Sequence, residues 1–263
     1  MRGFYAGSGG DRSGGLEAYL QARLQSSESR RKDLLDQALQ RDPELWRAQL
    51  ERARIWLRAG NLENAFEDLE AAVRSDPAAP APNLEMARVL RSLGRSGDAA
   101  RHYARYLEVR PEDLAAVTEY TRLLIYDLGE GGPARPWLER LLAASPDDPE
   151  LLMDSAALAW RDGSRDSAAD LYRQVLEIDP QAARAALNLG NLYFLSPDRP
   201  EAERHREWPR ARLAYRYYLE LEQVHDGHDL RDVLTSVPER LARIDAFLGP
   251  LPADAAPPTA RDL

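Results

Sequence analysis

Apolar residues recur at helical spacing along most of the chain. Between Leu50 and Leu57, for example, apolar side chains return every three or four positions and therefore share one face of a helix. The chain shows no sustained alternation of apolar and polar residues, which is the pattern of a half-buried β-strand. The pattern therefore predicts an all-α protein built from amphipathic helices.

A set of four residue types returns at fixed intervals. In each case a glycine is followed by an alanine five positions later, by a leucine or tyrosine four positions after that, and by a proline after eight more. The four matching sets are Gly60, Ala65, Leu69 and Pro77; Gly94, Ala99, Tyr103 and Pro111; Gly129, Ala134, Leu138 and Pro146; and Gly163, Ala168, Tyr172 and Pro180. Successive prolines from Pro43 to Pro180 lie 34, 34, 35 and 34 residues apart, so the chain contains a structural repeat.

Each of these residue types suits one step of a helical hairpin. The glycine ends the first helix, because it adopts a left-handed backbone at little cost. The alanine fits where two helices cross closely, and the leucine or tyrosine one turn later fills the groove between them. The proline stops the second helix and helps to begin the next. Each repeat is therefore predicted to be a pair of helices.

At this point the chain resembles the tetratricopeptide repeat (TPR) family. The segment Leu-Asn-Leu-Gly-Asn-Leu-Tyr at 187–193 is similar to the family consensus for the first helix of a repeat. The resemblance implies an all-α, right-handed superhelical solenoid of about six helix pairs over residues 12–223. The predicted repeats are 12–45, 46–79, 80–113, 114–148, 149–182 and 183–223. The small residue of the first helix is Ala53, Ala87, Thr121, Ala156 and Gly190 in successive repeats.

Three repeats depart from the pattern. The first has Arg31 where the others have the small alanine of the second helix. The fourth has one extra residue between Arg122 and Gly129. The sixth has an insertion near 195–210, which lengthens the connection between its helices by about nine residues.

The two ends of the chain differ from the repeats. Residues 1–11 read as a flexible leader, and residues 224–248 read as a helical cap that covers the last apolar face of the solenoid. Residues 249–263 are rich in proline and alanine, so a disordered tail is expected there.

The resemblance also implies a function. First helices line the concave face of such solenoids, and that face binds an extended peptide or a helix of a partner protein. The expected function is therefore that of a non-catalytic scaffold or adaptor. Two alternatives stay open: a structural module that assembles into homo-oligomers, and a regulatory interaction domain of a larger enzyme.

Two rows of charged residues are expected on the exposed face of the first helices. Glutamate and arginine three positions apart are neighbours on a helix surface, so the rows lie side by side. Either the charges pair with one another, or the arginines bind carboxylates and backbone carbonyls of a partner. The acidic row is Glu51, Glu85 and Glu119, continued by Asp154 and Asn188, and the basic row is Arg54, Arg88 and Arg122, continued by Ala157 and Asn191.

The C-terminal part of the predicted groove is less charged. Trp160 and Phe194 lie near Asn188 and Asn191, which suggests an apolar site with amides for a partner side chain. The alternative is aromatic packing between repeats or under the cap. Trp208 in the insertion either packs onto the solenoid or anchors a lid or docking arm.

A carboxylate clamp like that of heat-shock co-chaperones is not expected. Only Asn188 and Asn191 match its polar residues, and arginine stands where lysine or asparagine is expected in the earlier repeats.

The amino-acid composition excludes several kinds of chemistry and disfavours some partners. The chain has no cysteine, which excludes disulfides, cysteine-bound metals and a thiol nucleophile. Its formal net charge of −9 does not favour nucleic acid or an anionic membrane as a partner, and no apolar run is long enough to span a bilayer. A cytoplasmic location is the default expectation, and an export signal trimmed from the N-terminus is the alternative.

No catalytic motif stands out in the sequence. There is no phosphate-binding glycine loop and no serine in a nucleophile-elbow setting, so no enzymatic activity and no cofactor are expected. His225, Asp226, His228 and Asp229 could ligate a metal ion, but the glycine between them favours a solvated turn.

Overall fold

The computed structural model describes residues 12–195, 200–224, 231–252 and 255–263. In these ranges every regular element is a helix, so the prediction of an all-α fold is confirmed. The predicted leader, residues 196–199 of the predicted insertion and residues 225–230 with their two histidines lie outside the described ranges.

The N-terminal unit, Met1–Gly129, is the first of two compact units in the chain. Its helices α1 and α2, α3 and α4, and α5 and α6 pack as pairs. The bounds are α1 Arg12–Arg23, α2 Glu28–Arg41, α3 Trp46–Arg58, α4 Leu62–Ser75, α5 Pro80–Ser92, α6 Ser96–Val109 and α7 Leu114–Arg122.

The C-terminal unit, Glu130–Leu263, begins between the two helices of the fourth predicted repeat. Helices α9 and α10 form one pair, and α11 and α12 form another. The bounds are α8 Gly131–Ala144, α9 Pro149–Arg161, α10 Arg165–Ile178, α11 Ala183–Phe194, α12 Glu201–Val224 and α13 Arg231–Leu248, followed by a 3-10 turn at Ala260–Asp262.

The repeated residues occupy the turns and crossings that their chemistry predicts. The four repeated glycines have φ angles of 71–77°, in the left-handed region where a side chain is strained. The four repeated alanines are fully buried, and the leucine or tyrosine one turn later is at most 3% exposed. A side chain larger than alanine at these crossings would push the paired helices apart.

The extra residue of the fourth repeat is absorbed inside a helix. Helix α7 continues as a π-helical stretch, Leu123–Leu128, which ends at the left-handed Gly129. The amide of Gly129 donates to the carbonyl of Leu124, five residues back, as a π-helix requires. The wider turn accommodates one additional residue without a loop.

Helix α12 contains much of the predicted insertion. It spans 24 residues, whereas α11, its partner, spans 12. The segment from Glu201 to Arg210 thus lengthens the second helix of the sixth repeat instead of forming a long loop. Helix α13 then packs against α12, in the place of the predicted cap.

The described part of the predicted disordered tail is folded onto the C-terminal unit. Residues 260–262 form the 3-10 turn, and Ala260 and Leu263 pack against the apolar cluster of this unit. The composition suggested disorder because proline and alanine bury little surface. The contacts with α10, which no local pattern reports, hold the segment in place.

Candidate protein-interaction surfaces

The two predicted charged rows of the N-terminal unit merge into one chain of ion pairs. Arg54 on α3 bonds Glu51 on its own helix at 3.1 Å and Glu85 on α5 at 3.2 Å. Arg88 on α5 lies 3.9 Å from Glu85. The ion pairs therefore run across consecutive first helices, and we call this surface the Glu–Arg row (Glu51, Arg54, Glu85, Arg88 and Glu119).

The strongest link of the Glu–Arg row joins α5 to α7. Arg88 donates from Nε and Nη2 to the two carboxylate oxygens of Glu119, at 2.9 and 2.7 Å. Tyr103 of α6 donates to the same carboxylate at 2.8 Å. Burial favours a raised pKa of Glu119, but the hydrogen bonds from Arg88 and Tyr103 outweigh burial and lower it. Glu119 is therefore held ionised by two elements at once.

The arginines of the Glu–Arg row remain partly open to solvent. The side chains of Arg54 and Arg88 are 37% and 42% exposed, whereas that of Glu85 is 17% exposed. Arg122, the third predicted arginine, is half-buried at the end of α7. The structure thus forms the internal pairs and leaves edges of two guanidinium groups accessible to a partner.

A second charged cluster in the N-terminal unit was missed by sequence reasoning. Arg52 of α3 binds Asp68 of α4 through Nε and Nη2, at 2.8 and 2.5 Å, and Asp36 of α2 through Nη1, at 2.7 Å. Only 8% of the Asp68 side chain is exposed. The position one repeat after Arg52 is Met86, so the 34-residue period carried no signal for this cluster.

Several predicted contact residues of the C-terminal unit are buried or half-buried within it. Asp154 on α9 is 1% exposed, and Trp160 packs partly buried against the apolar cluster. Asn188 on α11 is half-buried and hydrogen-bonded to Tyr172, whose pKa burial raises to about 12. Trp160 and Asn188 therefore contact neighbouring helices of the unit, and Asp154 offers almost no surface to a partner.

Helix α13 covers the two other predicted groove residues of α11. Tyr215 of α12 donates to Asn191 Oδ1 at 2.9 Å, and Arg240 of α13 bonds the same oxygen. Arg240 also lies over the ring of Phe194, 5.8 Å from its centre. In this structure the amide and the ring therefore contact the cap.

Trp208 packs in an aromatic cluster with Phe194. It is 5% exposed, and its ring stacks on Phe194 with centroids 5.6 Å apart. His205 and Phe247 pack against it from α12 and α13, at centroid distances of 4.3 and 5.3 Å. This arrangement matches the alternative in which Trp208 packs onto the solenoid, because α13 shields its ring.

Among the described residues, no group of three or more histidine, aspartate and glutamate side chains is gathered closely enough to hold a metal ion. None of the described helices combines the length and apolar content needed to cross a bilayer.

The helix pairs can be compared with known families. A model of the tetratricopeptide repeat matches residues 32–80, 84–149 and 153–223. The chain belongs to the tetratricopeptide repeat family. The resemblance drawn from the 34-residue period is thereby confirmed, and the chain has the fold of protein-interaction scaffolds.

Among known proteins, this TPR chain is similar to the protein CTR9 homolog of Arabidopsis thaliana. The two are 29% identical over 163 residues, which are 59% of this chain. The match spans only 14% of the length of that relative.

Several solved TPR structures share the fold. MamA of Desulfovibrio magneticus RS-1, from its residue 41 onward, superposes with a TM-score of 0.59 at 21% identity, covering 69% of this chain and 97% of MamA. YrrB, described as a TPR protein with an unusual peptide-binding site, gives 0.55 at 19% identity, covering 72% and 97%. PilW, a type IV pilus biogenesis factor, gives 0.54 at 16% identity, covering 78% and 92%.

Proposed function

We propose that this TPR chain is a non-catalytic adaptor that binds an extended segment of a partner protein along the Glu–Arg row. The observation that carries the proposal is the pair of partly exposed guanidinium groups, Arg54 and Arg88, on the consecutive first helices α3 and α5. Support also comes from the fold, since TPR proteins are generally interaction scaffolds and YrrB is described with a peptide-binding site.

The chemistry of the Glu–Arg row suggests how a partner would bind. Guanidinium groups form bidentate, charge-assisted bonds with carboxylates and also donate to backbone carbonyls. A partner carboxylate would replace Glu85 or Glu119 at the exposed edge of an arginine, so one ion pair is exchanged for another. The arginine keeps an ion pair throughout the exchange, and Glu119 keeps the hydrogen bond from Tyr103, so no charge is left without a partner. The partner segment is therefore expected to carry acidic residues.

Peptides selected from a random library on the wild-type chain provide the test. The double variant Arg54→Gln/Arg88→Gln removes the proposed donors, and we expect it to bind those peptides at least about tenfold more weakly. The variant Glu85→Gln/Glu119→Gln removes the internal competitors and should bind equally or more tightly. Fluorescence polarisation measures both.

Arg74→Gln/Arg101→Gln serves as the matched control. These arginines lie on the second helices α4 and α6, and their side chains are 72% and 70% exposed. Circular dichroism verifies that each variant folds. Equal binding by the wild type and Arg54→Gln/Arg88→Gln would show that the row only pairs with itself.

An exposed leucine ridge on α1 favours self-assembly as a second candidate function. Leu16 and Leu20 lie one turn apart on α1 and are 46% and 50% exposed, and Leu24, which is 85% exposed, follows directly after the helix. The opposite face of α1 is already buried through Ala18 and Ala22. A second copy of the chain is the proposed occupant, because the same apolar residues on two copies are self-complementary and would cover each other.

Light scattering over a wide concentration range tests this candidate on the full chain. The wild type should show a mass that rises with concentration, and Leu20→Glu should remain a monomer. Leu93→Glu, at a position 42% exposed outside the ridge, is the control and should behave like the wild type. A wild-type chain that stays monomeric throughout would refute self-assembly by this ridge.

A further inference from the structure

The C-terminal segment rests on the second helices α10 and α12 of the C-terminal unit. Pro258 is buried, and Ala260 and Leu263 lie half-buried against the apolar cluster of the C-terminal unit. The surface beneath them belongs to α10 and α12 and includes Leu176 and Tyr217. A short stretch of chain thus already occupies a defined surface.

One arginine anchors the end of the segment. Arg173 of α10 donates from Nε to the backbone oxygen of Leu263 at 2.8 Å. The same guanidinium donates to Asp170 Oδ1 at 2.9 Å and to the hydroxyl of Tyr193. Two partners on the helices therefore hold Arg173 so that its Nε points at the segment, which lowers the entropic cost of the contact.

The docked segment forms a capped turn. The amide and the hydroxyl of Thr259 both donate to Asp262 Oδ2, at 2.7 and 2.8 Å. These bonds lower the pKa of Asp262, since they favour the carboxylate. These bonds within the segment and the bond from Arg173 together hold the turn on the surface.

One hydrogen bond joins the receiving surface to a neighbouring turn, and a cleft lies beside the segment. Tyr217 of α12 donates to the carbonyl of Pro180 at 2.6 Å, which ties the wall of the site to the turn after α10. A cleft of about 930 Å³ remains beside the segment, bordered by Arg173, Glu177 and Pro180. This volume lies within the range of ligand sites in proteins.

We propose that the α10–α12 surface is a second peptide-binding site, specific for a short capped turn with the pattern Pro-Thr-x-x-Asp-Leu, and that the chain's own residues Pro258–Leu263 are its ligand in cis. The apolar contacts select the proline and the leucine, the turn requires threonine and aspartate, and Arg173 binds the backbone oxygen at the end. Tethering raises the local concentration of this ligand to the millimolar range, about the level needed to keep a weak site filled.

A labelled peptide with the sequence of residues 255–263 tests the site on the full chain. Leu263→Glu should release the resident segment, because a charged side chain would enter the apolar contact. We expect the peptide to bind Leu263→Glu at least about tenfold more tightly than the wild type, in which the segment competes in cis. Adding Arg173→Gln to Leu263→Glu should abolish binding.

Two controls keep the result specific. Arg184→Gln in the Leu263→Glu background changes an arginine that is 60% exposed and paired with Glu150, and it should leave binding unchanged. A scrambled peptide should not bind. Circular dichroism confirms that the variants fold, so a failure of the peptide to bind folded Leu263→Glu would overturn the proposal.

Hydrogen exchange on the wild-type chain gives an independent readout. The amide of Asp262 donates to the carbonyl of Thr259 at 3.0 Å and should be protected, and Arg173→Gln should remove that protection. Exchange of Asp262 at the rate of a free peptide in the wild type would contradict the site. If peptide binding instead depended on Arg54 and Arg88 but not on Arg173, that result would also contradict the α10–α12 site. It would leave the proposal for the Glu–Arg row standing.

Discussion

Replacing Arg52 by methionine is expected to destabilise the N-terminal unit by about 2–4 kcal/mol. The change leaves the carboxylate of Asp68 with little solvent and without its bidentate partner, which costs far more than an exposed ion pair. Urea unfolding followed by circular dichroism measures the loss. Hydrogen exchange should show faster opening of α2, α3 and α4, since Arg52 joins all three.

The companion variants separate the buried charge from general effects of substitution. Arg74→Met removes an arginine that is 72% exposed and should cost less than about 1 kcal/mol. Arg52→Met/Asp68→Asn should recover part of the stability, because no buried carboxylate is then left unpaired. Equal stability of Arg52→Met and Arg74→Met would show that the cluster contributes nothing beyond a surface pair.

Replacing Gly190 by valine is expected to destabilise the C-terminal unit by about 3 kcal/mol. A Cβ atom at this position would lie 2.6 Å from Cδ1 and 2.7 Å from Cε1 of Tyr215, which is fully buried. Alanine should cost about 1 kcal/mol, because its better helix propensity offsets part of the overpacking. Thermal unfolding monitored by circular dichroism measures both changes.

Gly190→Val should also weaken the packing of α13, which forms the cap. Tyr215 bonds Asn191, and Arg240 donates to the Tyr215 hydroxyl at 3.1 Å, so a displaced ring would loosen α13. Hydrogen exchange of α13 should therefore accelerate in Gly190→Val. Gly132→Ala is the control, since a Cβ there meets nothing within 4 Å and the change should be neutral or slightly stabilising. An unchanged melting temperature of Gly190→Val would show that Tyr215 moves aside at no cost.

The candidate surfaces were only partly foreseeable. The 34-residue period placed Glu51, Arg54, Glu85, Arg88 and Glu119 on first helices, and the structure joins them in one row. The sequence left open whether these charges pair with one another or bind a partner. Periodicity places a residue on a helix, but it does not give the rotamer that brings its side chain to a neighbour. Arg52 escaped notice, since the positions one repeat after Arg52 and Asp68 are Met86 and His102, which do not repeat the pair.

The sequence by itself determined the family, the helix pairs and the turns between them. Glycine and proline restrict the backbone at their own positions, and alanine allows a close helix crossing. Their recurrence therefore predicts the helix pairs without any knowledge of tertiary contacts. The tertiary structure alone decided that α13 covers Asn191 and Phe194, that Trp208 is buried, and that the tail docks on α10. Those contacts join residues far apart in the chain, and their stability depends on shape and burial that no local pattern encodes.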